Sequence, residues 1–531
     1  MADTPSRIAL FGPGLERVLP AAEYGNKAAG LSAMAAAGIP VPPGFVLPVA
    51  VCEDYYLNGE QLPADVPALL AQGISHLERS TGYLFGGTRK PLLVSVRSGA
   101  PVSMPGIMDT ILNVGLTPTT VRALLAHTGN PRFVYDTYRR FLESFGTSIL
   151  SHPAKSYAQD LKDLMRREGI SDERELDYQN LKKLCASYEQ EYDSPEHTAC
   201  LTDVRQQLIE CTHAVLRSFS SPRADAFRRS ILITPATGTA VTVQLMVFGN
   251  MGASSGAGVA FTRNPWTGEA EPLIDFRFGG QGEDVVSGDR EAMTQEELKQ
   301  VIPNVYEELV RIGHRLEKHF ADMQDIEFTV QEGKLFLLQS RAGKRAPLAA
   351  LRIAVELNSE GIIPEHAAAE MLTGIDLDAI ENRTLSSPGK PVGRGISASG
   401  GVASGTIAFT QERAVHDEAA GPVILVRDTA SPDDIAGIDI AAGLLTARGA
   451  RTSHAAVVAR QLGKVCVVNC TDLLIDIPRH RCTIRGVTLR EGETISIDGN
   501  TGSVYKGQVT VSVERPSDLI RVARSWQAGR K

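Results

Sequence analysis

His454 occupies a place in the chain where a histidine can work as a nucleophile. It follows a small polar loop, Arg448-Gly449-Ala450-Arg451-Thr452-Ser453, and opens the alanine-rich run Ala455-Ala456-Val457-Val458-Ala459-Arg460, which reads as a helix start. Imidazole is nucleophilic and largely neutral near pH 7. A phosphoryl group carried there would meet free backbone N–H groups and the positive end of the helix dipole. Ala455 and Ala456 leave space for a substrate to approach. Without such surroundings a histidine is better read as a cap or a core residue, and the other histidines of this chain are read that way.

A second set of residues suits a phosphorylated ligand. Lys27 and Arg97 can neutralise a triphosphate, the arginine through a bidentate fork. The stretch Ser103 to Gly106 can bring backbone N–H groups close to phosphate oxygens. Asp325 and Glu327 are two apart on an expected strand and so share a face. Paired carboxylates facing phosphates suit Mg²⁺, which takes oxygen ligands and keeps substrate oxygens in its shell. A solvated strand face is the alternative for this pair. Arg263 and Glu283 are explained equally well as structural ion pairs. The pattern GxxxxGK[ST] is absent, which disfavours a P-loop site.

These residues need elements to hold them. Residues 1–116 alternate strand-like runs, such as Ile8 to Phe11 and Leu92 to Val96, with glycine-rich turns, and Lys27 to Met34 reads as a helix. Residues 117–231 are rich in Glu, Arg, Lys, Leu and Tyr at helical spacing and read as a helical insertion. Strand signals return over 232–345, with Ala240 to Val247 the clearest, an amphipathic helix from Glu296 to Phe320, and a hairpin from Asp325 to Leu338 turning at Glu332-Gly333-Lys334. Residues 346–394 hold a helix over 346–372 and the polar linker Ser386-Ser387-Pro388-Gly389-Lys390-Pro391. A β-rich unit spans 395–508, with one clear helix start at Ser453. A tail, 509–531, begins a charged helix.

The segment Thr452 to Arg460 resembles the phosphohistidine motif of the pyruvate, phosphate dikinase family, whose relatives include phosphoenolpyruvate synthase and rifampicin phosphotransferase. The likeness extends over nearly the whole chain. It includes Gly25-Asn26-Lys27-Ala28-Ala29-Gly30-Leu31, the stretch Val94 to Gly106, Gly258 to Pro265, Gln281 to Val286, Asp322 to Thr329 and Leu338-Gln339-Ser340-Arg341. Its details favour the dikinase over the relatives. It implies a multidomain α/β and α+β chain: an ATP-grasp nucleotide-binding domain with a helical insertion, then a swivelling β/β/α phosphohistidine domain. It implies that His454 and Arg97 are catalytic and that Lys27, Arg97, Ser103, Gly106, Glu327, Gln339 and Arg341 bind ATP. Asp325, Glu327 and Gln339 would hold Mg²⁺, and Thr452 is a candidate regulatory position.

The chain also departs from that family. Gly449-Ala450-Arg451 stands where Gly-Gly-Met is usual, so a methyl at Ala450 would tighten the loop if that position needs positive φ. Arg451 would add a cation close to the phosphoryl group. Ser399-Gly400-Gly401 replaces Ser-Pro-Gly. Only 24 residues follow Gly507, whereas the pyruvate-binding barrel of the dikinase needs about 250 residues. The expectation is therefore an ATP half-reaction, with pyruvate or another acceptor on a separate domain or protein.

Composition fits this reading. The net charge of −8 argues against nucleic-acid and anionic-membrane partners. No signal-peptide or membrane-spanning run is present. The seven cysteines show no CxxC spacing and suit a reduced, cytoplasmic protein. ATP, phosphate, a phosphoenolpyruvate- or pyruvate-binding protein and a second copy of the chain are the candidate partners. The rival readings are a phosphotransferase with a non-pyruvate acceptor and a nucleotide-responsive regulatory module without turnover.

Overall fold

The computed structural model describes residues 7–101, 108–150, 154–192, 194–221, 224, 228, 238–281, 293–386, 389–430, 434–451 and 453–528. The chain divides into two compact units, Met1–Ala253 with Phe336–Gln339, and Ser254–Leu335 with Ser340–Lys531.

The first unit is built on a five-stranded sheet in the order Ala9–Phe11, Gly44–Leu47, Ala240–Leu245, Val94–Gly99, Thr110–Val114. Its three central strands are buried on both faces, so they read as near-continuous apolar runs rather than alternating ones. The expected strand from Leu92 is two pieces, Pro91–Leu92 and Val94–Gly99. The helical insertion is present as six helices among the described residues, from Pro118–Thr128 to Val204–Ser218. Its central member, Pro131–Ser148, starts where the Asn130 side chain accepts the Phe133 N–H at 3.1 Å and Pro131 presets φ. Phe133, Val134, Tyr138, Phe141, Leu142 and Phe145 form its buried stripe.

The second unit opens with a four-stranded sheet in the order Lys334–Ala342, Gln324–Gln331, Gly256–Phe261, Leu273–Phe278. The hairpin turns at Glu332 (φ 48°) and Gly333 (φ 78°), as the sequence suggests. Two expected helices are each broken in two. The first is Gln295–Val301 and Pro303–Phe320, because Pro303 cannot donate into a continuing helix. The second is Pro347–Ser359 and Glu365–Met371, separated at Gly361 (φ 70°) and Pro364. Both of the latter pack with Phe261, Trp266, Leu273 and Met323 in one apolar cluster. The cluster also takes in Ile520, Ala523 and Trp526 of the last helix, Ser517–Ala528.

The β-rich part carries an eight-stranded sheet. Its order is Gly393–Arg394, Ser503–Lys506, Thr494–Asp498, Val402–Ala408, Val423–Arg427, Gly443–Thr446, Val465–Val468, Ile396–Ser399. Among the described residues three helices accompany it, Gln411–Glu418, Ile435–Ile440 and His454–Gln461, where the sequence suggests one. Its two buried apolar clusters contain only residues of this part. The chain enters it after Asn382–Leu385 and leaves it before Val511–Glu514, and these two strands pair antiparallel. The connection is thus a two-stranded ribbon, of which the sequence shows only the incoming side.

Candidate active site

In the first unit, Lys27 lies in the first turn of a helix that restarts at a glycine. The helix Ala21–Ala36 is interrupted at Gly25 (φ 76°, ψ 158°), a conformation that favours glycine. A Cβ at Gly25 would fall 1.7 Å from the Gly99 carbonyl oxygen. The missing side chain therefore lets this helix run against the strand that carries Arg97. The Asn26 N–H donates to the Ala100 carbonyl at 3.3 Å, and the Asn26 side-chain amide donates to the Pro101 carbonyl. Lys27 and Arg97 are so brought to the point where the chain enters residues 102–107. Ser103 and Gly106 lie outside the described residues, as does Glu283.

In the second unit, burial alternates over the first five residues of Gln324–Gln331, and Asp325 and Glu327 share the less buried face. The register extends that face across the sheet. Asp325 stands opposite Phe261, which stands opposite Leu273; Glu327 stands opposite Val259, which stands opposite Asp275. Arg341 reaches the same face, donating from Nε at 2.9 Å to Asp325 Oδ2, with Nη2 at 2.8 Å from that oxygen. Gln339, two residues earlier on its strand, shares the Arg341 side by alternation. The neighbouring Ser340 points the other way and donates to Gln324 at 2.8 Å. Burial pushes the Asp325 carboxyl above its ordinary range against the pull of Arg341, and Glu327 adds to the rise. Two carboxylates crowded on one face, one already drawing a cation, are a donor set suited to a hard divalent ion. Among the described residues no group of three or more His, Cys, Asp or Glu side chains forms a metal cage. An ion held here would complete its shell from substrate oxygens.

His454 is the first residue of the helix His454–Gln461, and Ser453 caps it by accepting the Ala456 N–H at 3.3 Å. Thr452 lies outside the described residues. The preceding loop corrects two expectations. Positive φ falls on Gly449 (128°) and not on Ala450, whose methyl is simply buried. Arg451 is turned into a buried contact with Asp275, Nε lying 3.6 Å from Oδ1, with Nη1 3.5 Å from Gln295 Oε1. Its guanidinium is thus engaged with a carboxylate of the sheet. Burial raises the Asp275 carboxyl, opposed by Arg451 and Arg460.

Arg460, in the last turn of the same helix, has its guanidinium 5.1 Å from the Phe261 ring centre and 5.8 Å from that of Trp266. Its Nη2 donates to the Arg451 carbonyl at 3.0 Å and to the Ala398 carbonyl at 3.3 Å. Gly400 also belongs to this contact: a Cβ there would lie 2.7 Å from Trp266 Cδ1. Sequence reasoning missed Asp275 and Trp266 altogether and gave Arg460 no role. Arg263, by contrast, is a structural residue. It is fully buried and bound to Glu317, Glu356 and Glu360 at 2.7–3.2 Å.

Comparison with known proteins gives the family. Residues 56–301 and 289–360 match the AMP/ATP-binding domain of pyruvate phosphate dikinase, and residues 419–502 match the mobile domain of PEP-utilising enzymes. The chain is 41% identical over 507 residues to pyruvate, phosphate dikinase 1, chloroplastic, of Arabidopsis thaliana, covering 94% of this chain and 52% of that protein. It is 42% identical over 510 residues to the pyruvate, phosphate dikinase of Clostridium symbiosum, covering 94% and 58%. With pyruvate, phosphate dikinase 2 of Zea mays the identity is 41% over 507 residues, covering 94% and 57%. The chain spans about half the length of the curated relatives it matches. Among the described residues no helix is long and apolar enough to cross a membrane.

Proposed function

Because the chain belongs to the pyruvate, phosphate dikinase family, we propose that it performs the ATP side of a dikinase-type phosphotransfer, with His454 as the acceptor. An imidazole nitrogen of His454 bonds to the β-phosphorus of ATP as the bond to the oxygen bridging the α- and β-phosphates breaks and AMP leaves. The γ-phosphoryl group passes to inorganic phosphate, giving pyrophosphate and leaving one phosphoryl group on the histidine. Little covalent work falls to the protein; positioning and charge neutralisation carry the rate.

Lys27 and Arg97 neutralise phosphate oxygens, and backbone N–H groups of Ser103 to Gly106 are further candidates for that role. Asp325, Glu327 and Gln339 would hold Mg²⁺, which would offset charge on the phosphates, and Arg341 balances the two carboxylates. The observation that carries this reading is a coincidence of faces. The sheet face bearing Asp325 and Glu327 also bears Asp275 and Phe261, the contacts of the loop and helix that flank His454. The phosphoryl group then passes to pyruvate or another acceptor bound on a different domain or protein. Seven free, buried thiols suit a reducing, cytoplasmic setting.

Incubation with Mg²⁺ and ATP labelled at either the β- or γ-phosphorus tests the proposal. The expected result is β-label on the protein, with γ-label in pyrophosphate only when phosphate is present. Protein-bound γ-label that persists at saturating phosphate, where the pyrophosphoryl form must already have passed on its γ-phosphoryl group, would overturn it. A complete lack of label at saturating ATP would favour a regulatory nucleotide module.

A further inference from the structure

We infer that Arg451 and Arg460 are positioning residues that latch the helix opened by His454 onto the carboxylate-bearing sheet face through Asp275, Phe261 and Trp266. The inference rests on the proposed role of His454. The two arginines bracket that residue: Arg451 precedes it by one short loop, and Arg460 ends its helix. Each reaches the same sheet, Arg451 at Asp275 on the edge strand Leu273–Phe278, and Arg460 at Phe261 on its neighbour. They are tied to one another by the bond from the Arg460 guanidinium to the Arg451 carbonyl. A helix held at both ends in this way has its first residue fixed relative to Asp325 and Glu327.

The chemistry of the contact suits release as well as docking. Among the described residues, the apolar clusters of the β-rich part end within it and share no member with the cluster on the sheet. Asp275 accepts one bond from the Arg451 backbone, but its Oδ1 and the Arg451 Nε attract one another at 3.6 Å without a hydrogen bond, and both of these atoms lack a hydrogen-bond partner among the described residues. A buried pair satisfied only in part gains little net energy from remaining closed. The cation–π stack of Arg460 is likewise a face contact that can slide apart. A carrier histidine that serves two sites needs this balance, and the two-stranded ribbon at Asn382–Leu385 and Val511–Glu514 supplies a narrow connection about which it could turn.

The test uses the full chain and four variants: Arg451→Met, Arg451→Lys, Asp275→Asn, and Arg451→Met with Asp275→Asn. Single-turnover labelling is followed against ATP concentration. The maximal rate should fall about tenfold to a hundredfold in Arg451→Met and Asp275→Asn, as expected for a displaced reacting group. The half-saturating ATP concentration should stay within about twofold, because neither residue is among those assigned to ATP. The double variant should be no slower than the worse single one, and Arg451→Lys should recover part of the rate. Docking is read separately from Trp266 fluorescence in a Trp526→Phe background, Trp266 then being the sole tryptophan. Quenching by acrylamide should rise at least twofold in Arg451→Met. Unchanged quenching, or additive rate losses in the double variant, would overturn the latch. If the unaltered chain takes no label, the role of His454 fails, while quenching still decides whether the latch exists.

Discussion

Arg263 and Arg451 are both buried and both face carboxylates, yet they do different things. Arg263 is satisfied on every side. Three glutamates meet it at 2.7–3.2 Å, and Glu317 also accepts from Thr262 at 2.6 Å. Those partners come from the helices Pro303–Phe320 and Pro347–Ser359, with its following residue Glu360. Arg451 faces one carboxylate at 3.6 Å across the boundary between two separately cored parts. The number and quality of hydrogen bonds, rather than burial, separate a staple from a latch.

The largest expected effect is on the staple. Arg263→Met leaves Glu317 buried without its counter-ion and should cost about 3–5 kcal/mol, read as a lowered urea midpoint. Arg451→Met should move the same midpoint by no more than about 1 kcal/mol while slowing labelling, since its partner can regain water when the parts separate. A comparable loss of stability in both variants would erase the distinction.

The pH dependence of two buried aspartates sharpens it further. Burial would raise Asp136, but Arg140 and Arg139 outweigh it and hold its carboxyl below the ordinary range. Its contribution is therefore complete above about pH 3.9, the unfolded carboxylate value, and is lost as pH falls through the lower folded value. Asp275 is shifted the other way, raised by burial against Arg451 and Arg460. Between about pH 3.9 and its higher folded value the folded chain holds the extra proton, so its contribution to stability grows as pH falls. The slope cannot exceed about 1.4 kcal/mol per pH unit for one group. Urea midpoints of Asp136→Asn and Asp275→Asn across the acid range should thus deviate from the unaltered chain in opposite directions.

What the sequence made legible was local. Glu332-Gly333-Lys334 marked its hairpin by a glycine-containing polar turn between two strand-like runs, and the structure puts positive φ on its first two residues. The pairing of Asp325 with Glu327 followed from strand alternation. The breaks at Pro303 and at Gly361 to Pro364 were written in the chain, but helical periodicity on both sides masked them. Gln411–Glu418 has a single buried residue, Ala414, and so offered almost no apolar pattern. Asp275, Trp266 and Arg460 take their importance from partners far off in the sequence, and nothing in their own neighbourhoods signals it. Arg451 was misread for the same reason: its distance from His454 along the chain is short, but its side chain belongs to Asp275.

The central claim concerns His454 and is tested most directly by the bond it should form. The unaltered chain, given Mg²⁺, phosphate and β-labelled ATP, should acquire label that survives alkali and is lost in acid, as a phosphoryl–nitrogen bond requires. His454→Asn should acquire none. Equal labelling of His454→Asn and the unaltered chain would contradict the claim.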